Sequence, residues 1–204
     1  MIKDIYNYEE DLIKKGYKYI AGTDEAGRGP MAGPLVAASV VLPIGYRLDY
    51  LDDSKKLTPK RRDQLYDIIV RDALDYQVTI MSVEEVDELN VYAASKIAMT
   101  RCIEKSQVPV DFILTDCMKL DIDIPFLDLV KGDSKSASIA AASVIAKVTR
   151  DRIMDELDKE YPQYGFKKHK GYVTKYHLEQ LDLYGVSEVH RKSFSPVAER
   201  LKKQ

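Results

Sequence analysis

The strongest constraint on the fold comes from two short apolar runs that flank a turn rich in glycine and proline. Residues 19–23 and 35–42 each have the length of a buried strand and are bounded by turn-forming residues. Between them lie Gly27, Gly29 and Gly33, whose missing side chains allow backbone N–H groups to approach a ligand closely. The stretch predicts a strand, a turn and a second strand, with polar side chains at the edge of a sheet.

The rest of the chain alternates helical and strand patterns, which predicts an α/β fold. Thr58 followed by Pro59 is typical of a helix start, Ser82 and Glu85 have the spacing of a capping box, and Asn90 is suited to capping a further helix. The predicted helices cover 5–16, 59–72, two segments that begin near Ser82 and Asn90, 137–147 continuing to about 161, 174–184 and a basic tail. The other predicted strands cover 76–80, 110–115 and 122–130.

Composition and charge narrow the possible environments and partners. The 204 residues are typical of a single domain, and the apolar runs are too short for a membrane-spanning helix. The acidic start MIKDIYNYEEDL does not match a signal peptide, and two cysteines without metal-binding spacing indicate a reducing cytoplasm. Residues 1–130 carry 16 Lys and Arg against 23 Asp and Glu, whereas residues 131–204 carry 15 against 10. We therefore expect any surface that binds a polyanion in the C-terminal third.

Four carboxylates fall at the ends of predicted elements. Asp24 and Glu25 follow the first strand, Asp116 ends the apolar run 110–115, and Asp133 precedes the helix that begins at 137. Each has an ordinary alternative role, as a solvated turn or loop charge or, for Asp133, as a helix cap. If the strands are neighbours, the four groups converge and repel one another unless divalent cations neutralise them. Such a site favours two-metal hydrolysis of phosphodiesters.

A second feature suits nucleic acid. Residues 164–175 interleave four lysines with Tyr164, Phe166, His169 and Tyr172, which provides cations for phosphates and flat rings for stacking. Together with the acidic residues, this segment indicates a nuclease. The three histidines show no zinc-ligand spacing, and the glycine-rich turn lacks the Lys-Ser/Thr ending of a phosphate-cradling NTPase loop.

These segments, taken in order, resemble the ribonuclease HII family, the bacterial type 2 ribonucleases H. The resemblance rests on DEAGRGPMAGPLVAASVVL (24–42), DDSKKLTPKRR (52–62), KGDSKSASIAAASVIAKVTRD (131–151), HKGYVTK (169–175) and HRKSFSPV (190–197). It implies a ribonuclease-H-like fold, with a five-stranded mixed sheet flanked by helices in residues 1–160 and a substrate-binding helical extension in residues 161–204. It also implies cleavage of RNA in RNA–DNA hybrids and cleavage 5′ of a single ribonucleotide in duplex DNA, leaving a 3′-OH and a 5′-phosphate.

The resemblance also implies the roles of individual residues. The metal-binding, catalytic carboxylates would be Asp24, Glu25, Asp116 and Asp133, holding two Mg²⁺ or Mn²⁺ ions. Gly27, Arg28 and Gly29 match the segment that reads the ribose 2′-OH, Tyr172 matches the tyrosine that stacks on the next sugar, and Lys55 and His169 match contacts to the nucleic-acid backbone. The chain departs from the family pattern at Cys117, Met118 and Val173.

Several alternatives stay open at this point. A nuclease that cuts only DNA, or a nucleic-acid-binding protein without catalysis, would share some of these features. Residues 180–184 (QLDLY) loosely resemble a peptide that binds a sliding clamp, although we expect Leu181 and Leu183 to pack inside the fold instead. We further expect a cytoplasmic monomer with no membrane partner.

Overall fold

A five-stranded mixed sheet forms the centre of the protein. The computed structural model describes residues 4–49, 51 and 57–202. The strand order is β3-β2-β1-β4-β5, in which β1–β2 and β2–β3 pair antiparallel and β1–β4 and β4–β5 pair parallel. The predicted mixed sheet is therefore confirmed. The strands are β1 Ile20–Ala26, β2 Leu35–Val41, β3 Asp75–Met81, β4 Phe112–Asp116 and β5 Phe126–Leu129.

The helices flank this sheet and begin where the capping residues predict. Thr58, Ser82 and Asn90 each accept a hydrogen bond from a backbone N–H in the first turn of the helix that follows, and Ser82 and Glu85 form a complete capping box. The helices are α1 Asn7–Lys14, α2 Pro59–Asp72, α3 Val83–Leu89, α4 Val91–Glu104, α5 Ala137–Glu160, α6 Phe166–His169, α7 Lys175–Tyr184 and α8 Ser195–Leu201, with a 3₁₀ turn at Gly132–Ser134.

Two features, the end of β1 and the helix α6, differ from the sequence prediction. β1 continues to Ala26, because its antiparallel pairing with β2 extends to the Ala26–Val36 pair, so Asp24 and Glu25 lie in the strand and not in the turn. α5 is one helix of 24 residues, which agrees with the predicted helix 137–147 and its continuation to about 161. α6 forms within the basic segment 164–175, where no helix was predicted.

Helix α5 packs closely on β1 and β2 because small residues line the contact. A Cβ atom at Gly22 would lie 2.0 Å from the carbonyl carbon of Ser138, so only glycine fits there. On β2, Ala38 and Val40 pack with α2 and α5, whereas Ala37 and Val41 pack with α4 on the other face of the sheet. Both faces of the sheet are therefore buried, and the carboxyl end of β1 is fixed against α5.

The helices after α5 pack against the 27–34 loop, which joins β1 to β2. Met31 and Ala32 from this loop share an apolar cluster with residues of the C-terminal helices. Three backbone hydrogen bonds join the two parts: Met31 N to Gly171 O at 2.9 Å, Gly33 N to Val189 O at 2.8 Å and Arg191 N to Met31 O at 2.8 Å. Across the described part of the chain, every helix is too short or too polar to cross a bilayer.

Candidate functional site

Three of the four predicted carboxylates meet at one end of the sheet. Asp24 in β1 and Asp116 in β4 are close because the two strands pair in parallel through Thr23 and Thr115. Asp133 reaches them from the 3₁₀ turn that precedes α5. One carboxylate oxygen from each residue lies within 4.8 Å of the others. We call Asp24, Asp116 and Asp133 the carboxylate cluster, and its convergence is the geometry that the sequence predicted.

The surroundings of the cluster favour a cation. Asp24 and Asp133 are buried, and burial, followed by the charges of Glu25 and Asp116, raises the pKa of Asp24 well above its usual value. Backbone amides offset part of this cost, since Glu25 N donates to Asp24 Oδ1 and Gly132 N donates to Asp116 Oδ1, both at 2.7 Å. Crowded carboxylate oxygens in this setting fit a hard divalent cation such as Mg²⁺ or Mn²⁺.

Asp133 does not serve as the helix cap that was its alternative role. The N-cap of α5 is Ser136, whose side chain accepts a hydrogen bond from Ile139 N. The N-cap position of α5 is thus occupied by Ser136, and a carboxylate oxygen of Asp133 lies within 4.8 Å of oxygens of Asp24 and Asp116.

Glu25 lies beside the cluster and not within it. Its side chain lines the same cavity as Asp24 and Asp116, and its Oε1 accepts a long hydrogen bond of 3.4 Å from Arg28. This ion pair joins the Arg28 side chain to a carboxylate at the end of β1. The assignment of Glu25 as a metal ligand stays a prediction.

The cavity around the cluster also contains the glycine-rich segment and Tyr172. It has a volume of about 310 Å³. The Tyr172 ring is half exposed, and a Cβ atom at Gly29 would lie 3.4 Å from its Cε1 atom. The fold thus brings Tyr172 next to Gly29, although 143 residues separate them along the chain. The cavity-lining residues are Asp24, Glu25, Ala26, Gly27, Arg28, Gly29, Asp116, Ser143, Lys147, Arg150 and Tyr172.

Two fully buried arginines fix the 27–34 loop, and the sequence analysis did not assign them this role. Arg150 donates to Pro34 O at 2.9 Å, Ala32 O at 3.1 Å and Lys170 O at 2.9 Å. Arg191 donates to Gly27 O at 2.7 Å and to Gly33 O at 2.9 and 3.0 Å. Burial lowers the pKa of Arg150 to about 10 and that of Arg191 to about 9.

One sequence signal pointed to part of this arrangement. Ser143, Lys147 and Arg150 are three to four residues apart, so they lie on one side of α5. All three line the cavity, and a hydrogen bond from the Ser143 side chain lowers the pKa of Asp24 against the effect of burial. Arg191 is not spaced at three or four residues from any of the cavity-lining residues. It bonds to the 27–34 loop from the C-terminal part of the sequence.

A larger basic groove adjoins this cavity and shares Lys147 with it. The groove has a volume of about 570 Å³, and six of its side chains are basic while three are acidic. Lys147 pairs with Asp151 at 2.6 Å, and Arg152 pairs with Asp63 at 3.3 Å. The groove therefore keeps an excess of positive charge. We define the basic groove by Arg62, Lys147, Arg152, Lys167, Lys168 and Lys170, with Asp63, Asp151 and Asp155.

Two predicted backbone contacts remain as predictions. Lys55 lies outside the described residues. His169 is partly buried, its Nε2 pairs with Tyr164 O at 2.9 Å, and its Nδ1 accepts from Gly171 N at 3.2 Å. Both ring nitrogens of His169 therefore already have protein partners.

The expectation for residues 180–184 was half right. Leu181 is buried, as expected, but Leu183 is 69% exposed and Tyr184 is 56% exposed, so the expected packing of Leu183 is wrong. The reason is the helical geometry of α7, in which residues two apart face different directions.

Comparisons with known proteins agree with this architecture. A sequence model of the family described as ribonuclease HII matches residues 21–197. A ribonuclease HII of Bacillus cytotoxicus is 50% identical over 98% of this chain and 77% of its own length, and one of Bacillus licheniformis is 51% identical over 94% and 75%.

Solved structures with the same fold were also found. The ribonuclease H2 of Pyrococcus horikoshii superposes with a TM-score of 0.79 and 26% identity, covering 90% of this chain and 97% of that one. The ribonuclease HII of Archaeoglobus fulgidus, solved in complex with PCNA, gives a TM-score of 0.69 and 26% identity over 85% and 93%. The central sheet and its flanking helices are thus those of the ribonuclease-H-like fold.

Proposed function

This chain belongs to the ribonuclease HII family, and from that premise we propose that it cleaves RNA in RNA–DNA hybrids and cuts 5′ of single ribonucleotides embedded in duplex DNA. Members of the family are hydrolytic endoribonucleases, so this protein is an enzyme of that class. The observation that carries the finer proposal is that two members of the carboxylate cluster, Asp24 and Asp116, line one cavity together with residues 27–29 and Tyr172. A site for phosphodiester hydrolysis and a site for reading a sugar thus adjoin each other.

The cofactor in this proposal is a pair of Mg²⁺ or Mn²⁺ ions. Asp24, Asp116 and Asp133 would hold them, with Glu25 as the fourth ligand that the family resemblance implies. When bound, such ions supply the positive charge that activates water and stabilises the leaving oxygen at a phosphodiester. The product termini in this proposal are a 3′-OH and a 5′-phosphate.

The ribose would be recognised by the glycine-rich segment and the tyrosine ring. The 2′-OH is the group that distinguishes RNA from DNA, and it both donates and accepts hydrogen bonds. Backbone groups of residues 27–29 line the cavity without side chains at Gly27 and Gly29, so a sugar can come close to them. The exposed half of the Tyr172 ring can then stack on the next sugar, where a second 2′-OH is disfavoured.

The basic groove gives the duplex a path away from the cavity. Lys167 and Lys168 lie at its edge with exposed side chains, and Lys147 lines both the groove and the cavity. A row of cations at this position can neutralise successive phosphates, which is the main source of affinity for nucleic acid. We therefore propose that residues 161–204 act as the substrate-binding extension of a catalytic core in residues 1–160.

The cellular role in this proposal is the removal of ribonucleotides and RNA primers from DNA in the cytoplasm. A sliding clamp is a secondary candidate partner. The related protein of Archaeoglobus fulgidus was solved in complex with PCNA, and here Leu183 and Tyr184 are exposed on α7. A binding assay with the clamp and a Leu183→Ala variant tests this point, and equal binding by both proteins would count against it.

One experiment tests the main proposal. A duplex of DNA with one ribonucleotide, an RNA–DNA hybrid and an all-DNA duplex are each incubated with the enzyme, with and without Mg²⁺ or Mn²⁺. We expect metal-dependent cleavage of the first two, with a cut 5′ of the single ribonucleotide. Equal cleavage of the all-DNA duplex would instead support a nuclease without sugar specificity, and binding of all three without cleavage would support a non-catalytic protein.

A further inference from the structure

The rings of three histidines, His169, His177 and His190, lie together in the C-terminal segment, and none of them lines the cavity that contains Asp24 and Asp116. His177 and His190 are completely buried, and the rings of His169 and His177 stack with centroids 4.3 Å apart. The Nε2 atoms of His177 and His190 are 3.1 Å apart. The proposed reaction uses neither His177 nor His190, so their burial side by side requires another explanation.

The backbone fixes the proton positions of this pair. Ser187 N donates to His190 Nδ1 at 3.2 Å, so the proton of the neutral His190 ring is on Nε2. His177 Nδ1 lies 3.0 Å from Tyr172 O, an acceptor, so this nitrogen must carry the proton of His177. His190 Nε2 therefore donates to His177 Nε2, and each ring donates once and accepts at its other nitrogen. The result is a directed chain from Ser187 through both imidazoles to the carbonyl of Tyr172.

Both rings must be neutral for this chain to exist. A proton on His177 Nε2 would place two N–H groups against each other across 3.1 Å. Burial lowers the pKa of His177 to about 3 and that of His190 to about 4, which keeps both rings neutral at physiological pH. All four ring nitrogens of the pair have partners in the protein, so the pair acts within the fold rather than on a ligand.

We propose that His177 and His190 are positioning residues that hold Tyr172 in the orientation needed to read the sugar beside a single ribonucleotide. This inference rests on the proposed function, because it assumes that Tyr172 contacts the substrate. The turn that carries Tyr172 is also held by bonds at its neighbouring residues: Tyr172 N to His169 O at 2.9 Å and Gly171 N to His169 Nδ1 at 3.2 Å within the turn, and Met31 N to Gly171 O and Arg150 to Lys170 O, both at 2.9 Å, from other parts of the chain. The bond from His177 is the one that the carbonyl of Tyr172 itself accepts. The bond from His177 to Tyr172 O links this turn to α7 and, through His190, to the segment that precedes α8.

Two substitutions at one position separate the two bonds of His177. The terminal amide of Asn reaches the position of Nδ1, so His177→Asn keeps a donor for Tyr172 O and loses the acceptor for His190. The amide of Gln reaches the position of Nε2, so His177→Gln keeps the bond to His190 and loses the donor to Tyr172 O. Loss of one such hydrogen bond corresponds to roughly a tenfold change in an equilibrium or rate.

The first readout is the position of Tyr172 itself. Fluorotyrosine incorporated at position 172 is observed by fluorine NMR in wild type, His177→Asn and His177→Gln. We expect a shifted or broadened resonance in His177→Gln and a smaller change in His177→Asn. An unchanged resonance in His177→Gln would overturn the inference, whatever the activity. If His177→Gln does not fold, His177→Met is used, because its thioether has no N–H for Tyr172 O, and the same change of the resonance is expected.

The second readout distinguishes this inference from the proposed function. We expect His177→Gln to lower kcat/KM on the single-ribonucleotide duplex about tenfold and on a long hybrid by less than about threefold. Tyr172→Ala is the reference, and the double variant should be no worse than Tyr172→Ala alone. In one outcome, the resonance changes and Tyr172→Ala impairs mainly cleavage of the single-ribonucleotide duplex, but His177→Gln impairs cleavage of both substrates equally; this would overturn the role of His177 in specificity. In another outcome, the resonance changes but Tyr172→Ala impairs cleavage of both substrates equally. That result would support the positioning role and count against the proposed sugar reading by Tyr172.

Discussion

The two halves of the site are built in different ways. The carboxylate cluster stands at the ends of paired strands and a helix, where strand register and α5 set its geometry. The 27–34 loop is instead held by Arg150 and Arg191, whose side chains donate to its carbonyls from distant parts of the chain. The carbonyl of Tyr172 is bonded to His177, five residues further along the chain. In the first half, the carboxylate cluster, like charges repel one another and a cation would relieve the repulsion. The second half, the 27–34 loop and Tyr172, depends on buried donors that must keep their protonation state.

Under the proposed function, this difference separates catalysis from specificity. A change in the cluster should affect every substrate equally, because all substrates would use the same chemistry. A change in the buried donors should alter which sugar is accepted, because those donors hold the groups proposed to face the sugar. The following predictions test that separation, from the largest expected effect to the smallest.

The largest effect is expected for Asp24→Asn. Loss of one ligand charge should reduce cleavage of both the single-ribonucleotide duplex and the long hybrid by about 1,000-fold or more, with substrate binding largely kept. Since burial raises the pKa of Asp24, its charge destabilises the metal-free fold above the usual pKa of an aspartate. The variant should therefore melt at a higher temperature than wild type in metal-free buffer.

A matched control for this prediction lies on the same sheet. Asp128 in β5 is exposed and pairs across from Thr115, so Asp128→Asn removes an equal charge without touching the cluster. We expect near wild-type cleavage and melting for Asp128→Asn. If Asp24→Asn melts at a lower temperature than wild type without metal, the cluster does not store repulsion and the comparison fails at its first half.

Low pH should destabilise the fold through His177 and His190, which is opposite to its effect through Asp24. The folded pKa values of His177 and His190 are about 3 and about 4, below the unfolded value of about 6.5. The unfolded chain thus binds more protons, and stability falls as the pH drops from 6.5 towards 4. At pH 5 each ring should cost roughly 2 kcal/mol in the free energy of unfolding, or about 4 kcal/mol for the pair.

Urea denaturation between pH 7 and pH 4.5 measures this slope. The double variant with glutamine at both positions cannot take up these protons, and its free energy of unfolding should vary less with pH than that of wild type. Asp24 contributes with the opposite sign, since protonation of a carboxyl with a raised pKa favours the folded state. Equal slopes for wild type and the double variant would show that the histidines are not held neutral by the fold.

The third effect concerns the arginine at the loop. Arg191→Met leaves Gly27 O and Gly33 O without their buried donor, and we expect a loss of about 3 kcal/mol in the free energy of unfolding. Cleavage of the single-ribonucleotide duplex should fall more than cleavage of the long hybrid, while calorimetric affinity for Mn²⁺ stays close to wild type. Lys192→Met, which changes the exposed neighbour, is the control. A weakened Mn²⁺ affinity in Arg191→Met alone would mean that the two halves are not separable.

The sequence made the first half predictable and left most of the second half hidden. Apolar runs mark strands, the ends of neighbouring strands meet, and so Asp24 and Asp116 were expected near each other. Buried arginine is rare, and nothing in the sequence distinguishes Arg150 and Arg191 from the exposed arginines and lysines around them. The bond from His177 to Tyr172 O spans only five residues, but it forms because the turn before α7 brings that carbonyl to the imidazole, and the spacing alone does not specify this turn. The exposure of Leu183 was missed because neither packing partners nor helix rotation can be inferred from a five-residue motif.

The smallest expected effect concerns Glu9 in α1, and it tests whether the sheet alone fixes the geometry of the carboxylate cluster. Asp133 lies just before α5, and α1 supports the start of that helix through a buried carboxylate. Glu9 Oε1 accepts from Ser136 Oγ at 2.6 Å and from Ser138 N at 2.9 Å. The backbone just before α1 adds a hydrogen bond, because Ala137 N donates to Ile5 O at 2.9 Å. Part of the geometry of Asp133 therefore depends on a segment that precedes the family-matched residues.

We accordingly expect Glu9→Ala to lower the free energy of unfolding by about 2 kcal/mol, since Ser138 N loses its acceptor at a buried helix start. The Mn²⁺ concentration for half-maximal cleavage should rise a few-fold on both substrates alike, because Asp133 loses support while the sugar-facing groups do not. Glu9→Gln keeps an acceptor, so its free energy of unfolding and its Mn²⁺ requirement should lie between those of wild type and Glu9→Ala. Asp11→Ala, on the exposed side of the same helix, should match wild type in both measurements. If Glu9→Ala and Asp11→Ala have the same free energy of unfolding, the sheet and α5 fix Asp133 without α1. The geometry of the carboxylate cluster would then not depend on α1.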